Sequence, residues 1–241
     1  SVSGAGDVNG DGFDDIIVGA FKAGPNGVKS GSSYVVFGQD TSATPFASII
    51  DLSTVGATTP GFRLDGVTAY DYSGGWVSGA GDVNGDGYDD LIVGAGSADP
   101  NSSASGSSYV VFGKSSGFSN ITMNIANLDG TTGFRLDGVA LGDIAGASVS
   151  GAGDINGDGF DDLIVGAYRT DLNANTLDSG SSYVVFGKAN FSATPTITMN
   201  TTNLDGTTGF RLDGVAAGDF SGHSVSGAGD VNGDGFDDII V

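Results

Sequence analysis

The sequence predicts an all-β fold built of repeated four-stranded antiparallel units, and three observations carry that reading. A nine-residue phrase, Asp-x-Asn-Gly-Asp-Gly-[Phe/Tyr]-Asp-Asp, starts at Asp7, Asp82, Asp154 and Asp230, so its copies lie 75, 72 and 76 residues apart. Glycine supplies 44 of the 241 residues, and no long stretch shows helical periodicity. Short apolar runs such as Tyr34–Phe37 return on schedule between the phrases.

Each repeat reads as four strands. The first is Ser-Val-Ser at 1–3, followed by Trp76–Ser78, Ser148–Ser150 and Ser224–Ser226. After the acidic phrase comes the second, at Ile16–Val18, Leu91–Val93, Leu163–Val165 and Ile239–Val241. The third is Tyr-Val-Val-Phe-Gly at 34–38, 109–113 and 183–187, and the fourth is Phe-Arg-Leu-Asp-Gly at 62–66, 134–138 and 210–214. Strands two and three are continuously apolar, as in strands covered on both faces. In the fourth, Phe62 and Leu64 alternate with Arg63 and Asp65, which predicts one wet face. Inner strands buried and an outer one half exposed make a β-propeller blade. A blade cannot cover its own faces, so neighbours must stack.

At this level the chain resembles the FG-GAP repeat family, the units of the integrin α-subunit propeller and of large bacterial surface proteins. There are departures. Ser73-Gly74, Ala145-Gly146 and Ser221-Gly222 stand where the family has Phe-Gly. Gly19-Ala20-Phe21, Gly94-Ala95-Gly96 and Gly166-Ala167-Tyr168 stand where it has Gly-Ala-Pro. The repeats fall at approximately 1–72, 73–144 and 145–220, with a partial repeat at 221–241, giving three complete blades plus half of a fourth. Residues 1–18 are identical to 224–241 at every position. The expectation is therefore an open segment of a larger propeller or tandem array, completed by flanking repeats or by other copies of itself.

In the first acidic loop the expected metal ligands are Asp7, Asn9, Asp11, the backbone carbonyl of Phe13, and Asp15, with Gly12 permitting the bend. This is the logic of the EF-hand loop, closed by a carboxylate at position 9 instead of 12. The resemblance implies calcium at this same nine-residue spacing. The roles pass to Asp82, Asn84, Asp86, Tyr88 and Asp90, then to Asp154, Asn156, Asp158, Phe160 and Asp162. They recur on Asp230, Asn232, Asp234, Phe236 and Asp238. Oxygen-only donors argue against zinc or copper, and a flexible multidentate loop favours Ca²⁺ over Mg²⁺, about four ions in all. The adjacent Asp14, Asp89, Asp161 and Asp237 read as solvent-facing or supporting groups.

The formal charge is −21, and all 29 acidic residues are aspartate, 16 of them in the four loops. An acidic surface disfavours nucleic acid and anionic membranes as partners. No stretch approaches the roughly 20 apolar residues of a membrane span, and cysteine is absent. Sites of ordinary loop affinity would fill only in extracellular calcium, so the expected location is extracellular or cell-surface.

Other residues weigh less. Arg63, Arg135 and Arg211 read as partners of nearby aspartates, and Asp71, Asp143 and Asp219 as turn-fixing groups. His223 reads as a variable residue at a strand end. Trp76 reads as a core or interface residue, with sugar stacking as the alternative. The loops Phe21–Ser30, Gly96–Ser105 and Tyr168–Ser179 vary most, yet contain no aromatic cluster and name no ligand. The chain is thus expected to be a non-enzymatic, calcium-stabilised adhesion or structural scaffold that binds an extracellular protein or glycan. The alternatives are a filament or surface-layer subunit, a glycan binder, or the propeller portion of a secreted enzyme.

Overall fold

The computed structural model describes residues 1–42, 44–172 and 177–241, so residues 173–176 of the variable loop expected at Tyr168–Ser179 lie outside the described residues. The described chain is all-β apart from one short 3-10 turn at Leu52–Thr54. In order the strands are β1 (Val2–Gly6), β2 (Asp15–Ala20), β3 (Ser32–Val36), β4 (Gly61–Asp65), β5 (Trp76–Gly81), β6 (Asp90–Ala95) and β7 (Ser107–Val111). Then follow β8 (Ile121–Thr122), β9 (Gly133–Asp137), β10 (Ser148–Gly153), β11 (Asp162–Ala167) and β12 (Ser181–Val185). The last are β13 (Thr196–Thr198), β14 (Gly209–Asp213), β15 (Ser226–Gly229) and β16 (Asp238–Ile240).

Three antiparallel blades result: β1-β2-β3-β4, β5-β6-β7-β9 and β10-β11-β12-β14, with β15-β16 as a fourth, two-stranded sheet. The strands sit where the Val/Ile/Leu runs place them, because β-branched side chains pack well on a pleated surface. The third strand starts two residues earlier than the sequence suggests, at the Ser-Ser pair, and ends before Phe-Gly. Its serines are drawn in because Ser32, Ser107 and Ser181 donate hydroxyl hydrogen bonds to Asp65, Asp137 and Asp213 at 2.9, 2.9 and 3.0 Å.

Two further expectations need correction. The fourth strand has no simple wet face in the first two blades, where Asp65 and Asp137 are buried. Arg63, Arg135 and Arg211 pair with Asp65, Asp137 and Asp213 at 2.7, 2.6 and 2.6 Å, so charge and serine hydroxyl together satisfy the enclosed carboxylate. Nor is the fourth strand always outermost. β8 adds in parallel to β4, and β13 adds in parallel to β9. Both belong to the connection between third and fourth strands of the following blade, so each blade lends its predecessor a fifth strand. The repeated Ile-Thr-Met-Asn at 121–124 and 197–200 was the available signal.

Blades pack through their first strands, β1 on β5, β5 on β10 and β10 on β15. Between them lies a core of Leu91, Val93, Leu163, Val165 and their neighbours. Farther out, Phe118 stacks on Phe62 of the preceding blade at 4.7 Å between centroids, and Phe191 on Phe134 at 4.0 Å. Asp71, Asp143 and Asp219 each accept from the backbone N–H three residues earlier, as the turn reading expected.

Candidate metal loops at the blade junctions

Every acidic phrase forms the loop from first to second strand. A β-bulge opens it, with the register slipping between Gly4 and Gly6 and at the same place in the other three sheets. The bend itself falls on Gly12, Gly87, Gly159 and Gly235, at φ of 89°, 89°, 90° and 92°, a region L-residues avoid. The Asp7 carboxylate accepts from the N–H groups of Asp11 and Gly12, at 3.0 and 2.8 Å. Asn9 Oδ1 also accepts from Asp11 N–H, and Asp11 Oδ1 from Phe13 N–H. The same four bonds recur in the loops of Asp82, Asp154 and Asp230. Short polar arms that bond their own backbone hold the loop closed.

The ninth position behaves differently. Asp15, Asp90 and Asp162 are buried. One carboxylate oxygen accepts from the second residue of the loop, Val8, Val83 or Ile155, at 3.1, 3.0 and 3.0 Å. The other accepts from the glycine after the third strand, Gly38, Gly113 or Gly187, at 2.8, 2.9 and 2.9 Å. This residue therefore anchors the loop to the sheet. Burial pushes the three carboxyls up to about 6, 8 and 7 respectively; their backbone donors oppose the shift, and the carboxylates at positions one and five of the same loop add to it. Asp238 likewise accepts from the second residue of its loop, Val231, at 2.9 Å.

The eighth position was expected to face solvent or play a supporting part, and from the second sheet onward it does something more definite. Asp89, Asp161 and Asp237 reach into the preceding blade and accept from the N–H of Asp7, Asp82 and Asp154, at 2.7, 2.7 and 3.0 Å. Their own N–H groups donate to the carbonyls of those same residues. The seventh-position rings of Tyr88, Phe160 and Phe236 lie against Gly10, Gly85 and Gly157 of the preceding loop, where any Cβ would overlap the ring. A column of stacked acidic loops results, each latched to the one before. Only Asp14, in the first blade, is exposed as expected.

The donor set of each loop, carboxylate, carboxamide and carbonyl oxygen, suits a hard divalent cation. The first and fifth carboxylates lie near enough to the ninth to help raise it. Among the described residues, however, no three carboxylate, histidine or cysteine groups converge closely enough to hold a metal by themselves. The carboxylates at positions one and five are turned to loop N–H groups, so a cation would depend on the asparagine and the carbonyl as well.

The opposite ends of the second strands carry a feature that sequence reading missed. Phe21, Tyr72, Trp76, Ile144 and Tyr168 line one pocket. These side chains come from separate segments of successive blades, so no local run of aromatics announced them. Trp76 is 44 % exposed there, which corrects its reading as a core residue. His223 lies edge-on to the Tyr168 ring at 5.0 Å.

The same repeat occurs in known proteins. The FG-GAP repeat profile matches residues 1–36, 74–111 and 145–185, each match covering the first strand, acidic loop, second strand and third strand of one blade. The chain carries three FG-GAP repeats. It is similar to phosphatidylinositol-glycan-specific phospholipase D of Bos taurus, 31% identical over 170 residues that make up 69% of this chain and 18% of that protein. The Rattus norvegicus enzyme matches to the same extent. Integrin alpha-IIb of Mus musculus is 32% identical over 166 residues, 67% of this chain and 14% of the integrin. The FG-GAP chain thus spans less than a fifth of the length of these relatives. Among the described residues no helix is long and apolar enough to cross a membrane.

Proposed function

We propose that this FG-GAP chain is an extracellular, non-enzymatic scaffold whose blades are stabilised by calcium and which serves adhesion or matrix assembly. The observation that carries the reading is the position of the acidic loops. The same oxygen donors recur four times, and wherever two blades meet, the loops are bonded to each other. A cation held in one loop would therefore stiffen the joint to the next. The ions would be held by Asp7, Asn9, Asp11, Phe13 and Asp15 and by the corresponding residues of the other three loops. A bound divalent ion would neutralise the buried ninth carboxylate and its neighbours.

With a Kd near 10⁻⁴ M in about 10⁻³ M calcium, each site would add about 1.4 kcal/mol, and four together about 6 kcal/mol. That is comparable with the whole net stability of an ordinary domain. Thermal melts in calcium and in EGTA test the proposal, with calcium expected to raise Tm by many degrees. A melt unchanged between the two, with no calcium uptake by calorimetry, would overturn it.

A second reading is favoured by one observation, the aromatic pocket around Trp76. Flat rings at an open surface suit the faces of sugars, so a glycan is the ligand class it supports. A glycan array with the Trp76→Ala variant as control tests it; equal signals from both proteins would remove it. Catalysis in this segment has weaker support. Nearly every polar group is copied from blade to blade, whereas an active site needs a unique constellation. Hydrolysis of phosphatidylinositol-glycan by the isolated chain would reverse that view.

A further inference from the structure

The pocket around Trp76 is left open because the second blade departs from the repeat. After the Gly-Ala that ends each second strand, the first and third blades carry a ring, Phe21 and Tyr168, and the second carries Gly96. Each ring packs on another from the next connection, Phe21 on Tyr72 at 6.2 Å and Tyr168 on Phe220 at 6.0 Å between centroids. In the second blade the corresponding pair is Gly96 and Ile144, which fill less space. A slot of about 460 Å³ remains between two aromatic walls, a size ordinary for a small-molecule site. Trp76 borders it at a position where the other repeats have serine. One wall is fixed in advance. Lys29 and Tyr72 both hold left-handed backbone, at φ of 57° and 54°, and Tyr72 N–H donates to the Lys29 carbonyl at 3.1 Å.

Charge at the slot runs against that of the chain. Lysine and arginine total 8 against 29 aspartates, yet among the described residues that line the slot there is no carboxylate. Two lysines stand beside it. Lys22 Nζ lies 5.3 Å from the centre of the Phe21 ring, and Lys29 Nζ lies 3.5 Å from the Tyr72 hydroxyl and 5.6 Å from the centre of that ring. Arg63, Arg135, Arg169 and Arg211 are each paired to an aspartate, whereas among the described residues neither lysine makes an ion pair. An ammonium held over an aromatic face keeps its charge available to an anion.

We propose that the slot binds an acidic sugar, with the ring of a uronate against the aromatic faces and its carboxylate toward Lys22 and Lys29. This rests on the glycan reading of the same pocket and names the class of glycan. Rigid aromatic faces suit a sugar ring, and a carboxylate on an ammonium makes a hydrogen bond roughly twice as strong as a neutral one. The net charge of −21 opposes a long polyanion lying across the surface. That repulsion is screened beyond about 8 Å in physiological salt, so for a short oligosaccharide the two nearby ammonium groups decide the sign. An acidic peptide would bring carboxylates without a rigid ring, which makes the sugar the better fit.

Isothermal titration calorimetry of the full chain in millimolar calcium tests this with a galacturonate trisaccharide, the uncharged galactose trisaccharide and a hexaglutamate peptide. The acidic trisaccharide is expected to bind about tenfold more tightly than the neutral one, the effect of one charged hydrogen bond, and hexaglutamate not to bind. Lys22→Gln with Lys29→Gln should abolish that preference and leave the neutral sugar's affinity unchanged, while Trp76→Ala should remove binding of both sugars. Lys22 is exposed, so Lys22→Gln alone serves if the double variant melts early, and should lose part of the preference. Equal affinity for the two trisaccharides overturns the acidic preference and leaves the glycan reading standing. No binding of either sugar overturns both. A preference that survives the lysine variants overturns the proposal as well, because the carboxylate is then held elsewhere, as by calcium in an acidic loop. Hexaglutamate binding as tightly as the acidic sugar would overturn it in favour of a peptide site.

Discussion

The latch between acidic loops makes a quantitative prediction at Asp161. Its carboxylate accepts from Asp82 N–H across the junction of the second and third blades, at 2.7 Å, and is partly buried. A hydrogen bond to a charged acceptor contributes about 1.5–3 kcal/mol, and removing the acceptor leaves the Asp82 amide to find water in a confined space. Asp161→Ala should therefore destabilise the chain by about 2 kcal/mol. For a chain of this length that corresponds to a fall in Tm of roughly 4–8 °C. Asp161→Asn keeps an oxygen acceptor without the charge and should lose about half as much. The first blade supplies the internal control, because Asp14 occupies the same position of an almost identical loop but is exposed. Asp14→Ala should leave the melt unchanged. Differential scanning calorimetry of the three variants in millimolar calcium reads all of this. Equal shifts for Asp14→Ala and Asp161→Ala would show that the eighth aspartate acts within its own loop and that the latch contributes nothing.

Three further outcomes are expected. Phe191→Ala removes a buried ring stacked on Phe134 and should cost about 3–5 kcal/mol in urea unfolding, whereas the half-exposed Phe46 should tolerate alanine; similar losses at both would contradict the inter-blade stack. In EGTA, stability should be greatest in mild acid and should fall as pH rises. The carboxyls of Asp15, Asp90 and Asp162 are raised from 3.8 to about 6, 8 and 7, so the folded chain binds more protons than the unfolded one across that window. Calcium needs those carboxylates ionised, so the gain in Tm on adding it should grow over the same range, and a gain that shrinks with pH would count against the ninth position as a ligand. Trp76→Ala should leave Tm nearly unchanged, since the ring lines an open pocket; a large drop would return Trp76 to the core.

Much of the blade was legible because its signals are local. Val-Val and Leu-Ile-Val runs mark strands wherever they fall, and the spacing of Asp, Asn and Gly in the acidic phrase marks a closed loop. Strand ends were less legible. The Ser-Ser pair joins β3, β7 and β12 only because Asp65, Asp137 and Asp213 stand across from it, a partnership some 30 residues distant in the chain. Ile-Thr-Met-Asn was visible as a repeat, yet nothing local says that β8 and β13 serve the preceding blade.

By itself the sequence determined the repeat, the all-β blades, the acidic loops and the need for stacked neighbours, since each follows from residue type and short-range spacing. Only the tertiary structure decided what those residues touch. Asp89, Asp161 and Asp237 look like their loop companions in the chain, and they become latches because the twist of successive blades lays one loop upon another. Phe21, Tyr72, Trp76 and Tyr168 become a pocket for the same reason. Contacts between blades join residues far apart in sequence, and the relative placement of two sheets is set by packing, which no local pattern records.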